Sequence, residues 1–160
     1  MKKSFNARFL VQSAVISAIY VVLTFLANAL GLASGAIQIR FSEALCVLPI
    51  FTPAAIPGLF VGCILANALT GSIIIDMIFG SIATLLGAIF TRKLKDNHLL
   101  ALLPPILSNI LILPFVLRFA YGIPNSILYF MATIGIGEII SCGILGWLFI
   151  ETLKRRNIFK

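Results

Sequence analysis

The sequence predicts an all-α integral membrane protein, a transmembrane bundle of six helices with both termini cytoplasmic. Two observations carry that prediction. First, 61% of the residues are hydrophobic and only 11% are charged, with a mean hydropathy of +1.13, whereas about a quarter of the residues in a soluble domain are charged. A chain of 160 residues has room for five or six crossings at about 20 apolar residues each. Second, ten of the twelve Lys and Arg residues fall in three clusters: Lys2, Lys3 and Arg8; Arg92, Lys93 and Lys95; and Lys154, Arg155, Arg156 and Lys160. Basic residues accumulate in cytoplasmic loops. Six segments place all three clusters on one side, while five would split the last from the first. The net charge of +7 is then topological, and no basic face with interleaved exposed aromatics remains to bind nucleic acid.

The first segment covers about 8–30. Its basic start and the closing Ala27-Asn28-Ala29 imitate a secretory signal. The apolar run from Phe9 to Leu30 is too long for a signal core, however, and everything downstream is equally apolar, so it reads as a retained helix. Residues 31–40, with Gly31, Ser34 and Gly35, do not continue the helix and read as an outer loop able to act as a lid. The second segment, about 41–51, is short: roughly 16 Å of helix against a hydrocarbon core of about 30 Å. It must tilt or stop partway. Pro49, Pro53 and Pro57 break the next turn, and a third segment at about 54–70 leads to a fourth at about 72–91, ended by the polar break Arg92 to His98. The fifth covers about 99–118, with Pro104-Pro105 near its first turn. Gly122-Ile123-Pro124-Asn125 turns the chain into the sixth, about 126–153, long enough to protrude. With no repeat, low-complexity tract or polar linker, residues 1–160 form a single transmembrane domain.

Three of the five acidic residues, Glu43, Asp76 and Glu138, lie inside these apolar stretches. A charged side chain facing lipid at the bilayer centre costs roughly 3 kcal/mol, so they should face one another, a cavity or a ligand. Counted from the outer ends at 1.5 Å per residue, Arg40 and Glu43 open the second segment, Asn67 closes the third, and Asp76 lies one turn into the fourth. Asn28 ends the first at the same level, and Asn109 and Glu138 fall near mid-depth. Arg40 and Glu43 stand three apart, a helical pairing distance. The candidate substrate-binding residues are therefore Arg40, Glu43, Asn67, Asp76, Asn109 and Glu138, around an outward-open pocket. The bland alternative is that the same groups hydrogen-bond the helices together.

Three carboxylates face Arg40 and Arg118, so at least one lacks a protein cation. It is either protonated or reserved for a cationic or N–H-rich ligand. A purine-like ring carrying an amine suits the second option. Carboxylates accept from ring N–H and amino groups, while Asn and Arg donate to a ring carbonyl. Phe41, Phe119, Tyr121 and Tyr129 are candidate stacking partners or interface anchors. Cys46, Cys63 and Cys142 are widely spaced, without a CxxC pair or a nearby histidine, and read as small core residues; no metal or cofactor is expected. His98 reads as a solvated loop residue, and Glu151 with Arg155 as a surface pair.

The run Gln38-Ile39-Arg40-Phe41-Ser42-Glu43-Ala44-Leu45, the Pro57-Gly58 turn, Ala66-Asn67, Asp76 followed by Phe79-Gly80-Ser81, Asn109 and Gly137-Glu138 resemble the QueT family. These are predicted queuosine-precursor transporters, substrate-binding S-components of energy-coupling-factor (ECF) transporters of the ABC type. The resemblance covers about residues 8–153. It implies a six-helix S-component bundle in the cell membrane and capture of prequeuosine-type 7-deazaguanines from outside. It also implies uptake driven by an EcfT coupling subunit and two ATPase subunits. S-components carry an Ala-x-x-x-Ala motif on the first helix that packs against EcfT, and Ala14 to Ala18 matches it. Gly58-x-x-x-Gly62 and Ala83-x-x-x-Gly87 have the same spacing and read as packing within the bundle.

No Gly-Lys-Ser/Thr phosphate loop occurs, so any ATP is hydrolysed by partners. The chief alternative is a proton-coupled small-molecule carrier relaying protons through Glu43, Asp76 and Glu138. A membrane enzyme using two carboxylates lacks a nucleophile, metal cluster or cofactor motif, so the chain reads as no enzyme. A purely structural subunit would tolerate neutralisation of Asp76 and Glu138.

Overall fold

The computed structural model describes residues 7–33 and 37–156. Lys2, Lys3 and Lys160 of the basic clusters, and Ser34 and Gly35 of the expected lid, lie outside the described residues. Every regular element among the described residues is helical. α1 spans Ala7–Ala29, α2 Ala55–Leu69, α3 Ile74–Lys93, α4 Leu103–Phe115, α5 Ile127–Glu138 and α6 Gly146–Arg156. A 3-10 turn before α4 and a π-helical turn after it extend that element to Leu100–Ala120, and a π-helical stretch, Ile139–Leu145, joins α5 to α6 in one rod, Ile127–Arg156. These two stretches, α1 and α3 are each long and apolar enough to cross a membrane. The chain is a multi-pass membrane protein, its lipid-facing surface supplied by exposed residues such as Val11, Val22, Leu107, Leu111 and Leu128.

The second segment is where the structure departs from an α-helical reading. Phe41–Ile50 is a 3-10 helix of 10 residues, an unusual length for this conformation, which rarely exceeds four. At about 2.0 Å per residue it reaches roughly 20 Å, still short of a crossing. It runs through the middle of the molecule, packed against α1, α3, α6 and the π-helical stretch. All of its residues except Phe41 and Ala44 are buried. The other helices pack in sequence around it, α1 on α2, α2 on α3, α3 on α4 and α4 on α5. Its last carbonyls would be orphans in the bundle. Arg92 answers them, its Nη1 donating to the Pro49 and Ile50 oxygens at 3.0 Å each.

Helix irregularities follow the prolines. Pro104 and Pro105 occupy the first turn of α4, where no backbone donor is required. Pro114 sits near its end, and the π-helical turn Val116–Ala120 begins two residues later. Small residues set the close approaches. A Cβ on Gly58 would stand 2.8 Å from the Ser13 carbonyl oxygen, and one on Gly62 would stand 2.9 Å from Tyr20 Cβ. On α3, a Cβ on Gly87 would meet Pro105 Cα at 2.8 Å. Gly58, Gly62 and Gly87 therefore pack inside the bundle, as their spacing suggested. Ala14 and Ala18 lie instead on the exposed side of α1, away from its buried residues Ile16, Ser17, Tyr20, Thr24 and Ala27.

One surface expectation changes: Glu151 pairs with Lys154 at 3.7 Å rather than with Arg155. His98 lies in the loop after α3, partly exposed beside Phe51 with ring centroids 6.2 Å apart, and partial burial together with Lys154 holds its imidazole below the ordinary pKa.

The Gly62 contact gives a direct check on the α1–α2 seam. Gly62→Val should lower unfolding stability in detergent by about 1–3 kcal/mol, the usual cost of overpacking, measured by thermal melting. An unchanged melting temperature would show that the two helices are not in backbone contact.

Candidate binding site

The elements that end together at one end of the bundle leave a cavity of about 310 Å³, at the lower end of the range for small-molecule pockets. Thr24 and Asn28 come from α1; Ala33, Gln38 and Arg40 from the connection that follows; Asn67 and Thr70 from the end of α2. Ser72 and Asp76 come from the start of α3, Leu113, Leu117, Tyr121 and Ile123 from α4 and its continuation, and Ile134 and Glu138 from α5. Four of the six candidate residues, Arg40, Asn67, Asp76 and Glu138, thus line one cavity. Glu43 and Asn109 lie outside its lining.

Glu43 is tied up elsewhere. It is 2% exposed, and both of its oxygens accept from the protein: Oε1 from Tyr20 Oη at 2.8 Å and Oε2 from Cys46 Sγ at 3.2 Å. One residue earlier, Ser42 Oγ accepts from Thr24 Oγ1 at 3.0 Å. These contacts sew the buried face of α1 to the central 3-10 helix. The i, i+3 spacing does not bring Arg40 to Glu43, because Arg40 is the residue before the helix, in extended conformation (φ −116°, ψ 110°). Among the described residues Arg40 forms no ion pair. Its backbone N donates to Ser141 Oγ at 3.1 Å, and Nη2 approaches Gln38 Oε1 at 3.4 Å.

Glu138 is 7% exposed. Asn109, itself buried, donates from Nδ2 to Oε1 at 2.7 Å. Oε2 is buried and has no hydrogen-bond partner among the described residues. Asn109 therefore stands behind the carboxylate and fixes one of its two oxygens. The Gly137 backbone lies so close to Gln38 that a Cβ there would collide with the Gln38 carbonyl, which seats the segment carrying Arg40 directly against the Glu138 turn. Asp76, the third residue of α3, accepts on Oδ2 from Tyr121 Oη at 2.9 Å. Burial first, and that hydrogen bond second, raise the Tyr121 phenol above its ordinary pKa, keeping it a donor. One turn below Asp76, Gly80 makes room for the Asn67 amide, whose Nδ2 would lie 3.3 Å from a Cβ at that position.

Arg118 does not reach the carboxylates. Its Nη1 donates to the Ile123 and Asn125 carbonyl oxygens at 3.4 and 3.2 Å and pins the connection into α5. Of the four aromatic candidates only Tyr121 lines the cavity; Phe119 is 73% exposed on the outside of the bundle. The three cysteines are buried free thiols, and no group of His, Cys, Asp or Glu among the described residues could hold a metal ion. Sequence reasoning passed over Thr24, Gln38, Thr70 and Ser72. The readable signal for the first was a polar stripe, Tyr20, Thr24 and Asn28, at intervals of four on one face of α1.

A multi-pass helical membrane protein with a ligand-sized cavity at one end of its bundle, its apolar wall set with charged and polar side chains, has the build of a carrier or capture protein. The family model described as "QueT transporter" matches residues 10–155, so this chain belongs to the QueT transporter family. A curated relative, "Queuosine precursor transporter QueT" of Lactococcus lactis subsp. cremoris (strain MG1363), is 31% identical over 102 residues, covering 61% of this chain and 59% of the relative. The chain's match thus spans less than two thirds of that relative's length. No solved structure matches this chain.

The Tyr20–Glu43 contact separates a structural carboxylate from a ligand-binding one. Tyr20→Phe leaves a buried carboxylate oxygen without its donor and should cost about 1–3 kcal/mol of stability, read by chemical or thermal unfolding. A variant as stable as the parent would show that this bond does not hold α1 to the core.

Proposed function

We propose that this chain is the membrane-embedded substrate-binding subunit of an ATP-driven ECF transporter, and that it captures a queuosine precursor of the 7-deazaguanine class from outside the cell. The observation that carries the substrate is Glu138. Among the described residues its Oε2 is a buried acceptor with no donor, in the wall of a cavity that also holds the Arg40 guanidinium, which forms no ion pair among those residues. A deazaguanine offers the complement: ring and amino N–H donors for the carboxylate and a ring carbonyl for the guanidinium. The name of the Lactococcus relative points to the same ligand class.

The six helical segments form the S-component bundle in this reading, with both termini cytoplasmic and the connection that carries Gln38 and Arg40 forming part of the cavity wall. Orientation is supported by charge. The cavity lies at the end formed by the starts of α3 and α5, while Arg8, Arg92, Lys93, Lys95, Lys154, Arg155 and Arg156 belong to the opposite helix ends. The exposed side of α1, where Ala14 and Ala18 sit one turn apart, is the docking face for EcfT, because small residues permit close backbone approach. EcfT and two ATPase subunits then supply the energy.

The carboxylates argue against a proton relay. Glu43, Asp76 and Glu138 lie towards the cavity end, and the other two acids, Asp96 and Glu151, are at the far surface. Uptake by this chain alone that collapses with the proton gradient would favour the carrier instead.

Binding to purified protein tests the substrate. The parent should bind a 7-deazaguanine in preference to guanine, and Glu138→Gln should weaken that binding by more than about 1.5 kcal/mol, since a desolvated ligand donor loses its acceptor. Absence of binding to any deazapurine would sink the substrate reading. A second measurement tests docking: Ala14→Leu or Ala18→Leu should leave ligand affinity unchanged and impair assembly with the coupling subunits. Loss of ligand binding with intact assembly would overturn the assignment of that face.

A further inference from the structure

Asp76 differs from Glu138 in depth and in company. α3 and α5 start at the same end of the bundle. Asp76 is the third residue of its helix and Glu138 the twelfth of its own, so Asp76 lies nearer the mouth by roughly 13 Å of helix length. It is half-buried, and no lysine or arginine forms an ion pair with it among the described residues. Its protein partner is neutral, the Tyr121 phenol on Oδ2 at 2.9 Å.

The two carboxylates of the lining differ in how they can meet a cation. Glu138 is deep and buried, with Asn109 donating to one of its oxygens. Asp76, near the mouth and half-buried, is the carboxylate open to an ammonium, which it attracts more strongly in a confined space than in water. Among the described residues no donor but Tyr121 meets Asp76, which leaves Oδ1 able to accept, and Tyr121 belongs to the same lining. Glu138 at depth and Asp76 near the mouth thus make two separate stations, one for a donor-rich ring edge and one for a cationic arm.

We propose that Asp76, held by Tyr121, makes the cavity select precursors bearing a protonated aminomethyl arm over those with an uncharged nitrile at the same ring position. An aliphatic amine of this kind is ionised at neutral pH. The proposal rests on the deazaguanine reading for the ring but not for the arm, so the two can fail separately.

Isothermal titration at neutral pH with 7-aminomethyl-7-deazaguanine, 7-cyano-7-deazaguanine and benzylamine provides the test, on the parent, Asp76→Asn and Asp76→Glu. The parent should bind the amine at least tenfold more tightly than the nitrile. Asp76→Asn should bring the two within about threefold by losing amine affinity, with nitrile affinity retained as the sign of an intact fold, and Asp76→Glu should keep a preference for the amine. Equal affinities in the parent, or an Asp76→Asn variant weakened by the same factor for both ligands, would overturn it. If neither deazaguanine binds while benzylamine binds the parent and not Asp76→Asn, the substrate reading falls and the role of Asp76 stands. If none of the three binds, both fall.

Discussion

A carboxylate inside a bilayer has no water to solvate it, and how each of three such groups is satisfied organises this protein. Glu43 is answered wholly from within, by Tyr20 and Cys46. That arrangement makes possible a buried helix too short to cross the membrane. The 3-10 helix Phe41–Ile50 is held at its cavity end by Tyr20 and Thr24 of α1 and by Ser141 beside α5, and at its far end by the Arg92 guanidinium. Without those partners its polar groups would be stranded in an apolar interior, at about 1–3 kcal/mol apiece. With them, the segment fills the middle of the bundle and leaves Arg40, the residue before it, at the wall of the cavity. Asp76 and Glu138 are satisfied less completely, and the cavity lies where satisfaction stops.

Much of this was legible in the sequence, because length and uniform hydrophobicity fix long spans whatever their neighbours. α1, α3, Leu100–Ala120 and Ile127–Arg156 follow from those features. Depth counting was equally direct: Asn109 and Glu138 both fell near mid-depth, and they share a hydrogen bond. The 3-10 winding was hidden, since this ten-residue run, uniformly apolar after Glu43, has no periodicity that distinguishes it from an α-turn. Its conformation is set by clamps at both ends, contributed by residues as far away as Ser141. The same gap misdirected the pairing of Arg40 with Glu43. Three-residue spacing brings side chains together only when both residues are helical, and Arg40 is extended. Which side of a helix a polar residue faces was the other hidden quantity, so Asn109 emerged behind Glu138 and not in the lining.

The two faces of α1 connect the cavity to the surface assigned to partners. Its inner face carries Tyr20 and Thr24, bonded to Glu43 and Ser42, and Thr24 also lines the cavity. Its outer face carries Ala14 and Ala18, exposed. Gly58 and Gly62 bring α2 against α1 at Ser13, Ile16, Ser17 and Tyr20. A subunit pressing on the outer face would therefore act on a helix whose opposite side is tied to the segment bearing Arg40. Coupling of this kind requires that α1 and the 3-10 helix move as one body, which their two hydrogen bonds favour.

The oxygen of Glu138 that has no partner among the described residues bears on why uptake of the proposed kind would need an energy source. A buried acceptor left empty destabilises the unliganded state, by about 1–3 kcal/mol for a neutral group and more for a charged one. A ligand that supplies the donor recovers that free energy as affinity, which suits capture from dilute solution. The same gain opposes release, because letting go restores the orphan oxygen. Release then depends on displacing the residues that hold the site together: Asn109 behind Glu138, Tyr121 on Asp76, and Gln38 against Gly137. The sequence holds no phosphate loop. In the proposed reading the force comes through the exposed face of α1, whose opposite side is bonded to Ser42 and Glu43 of the 3-10 helix that follows Arg40.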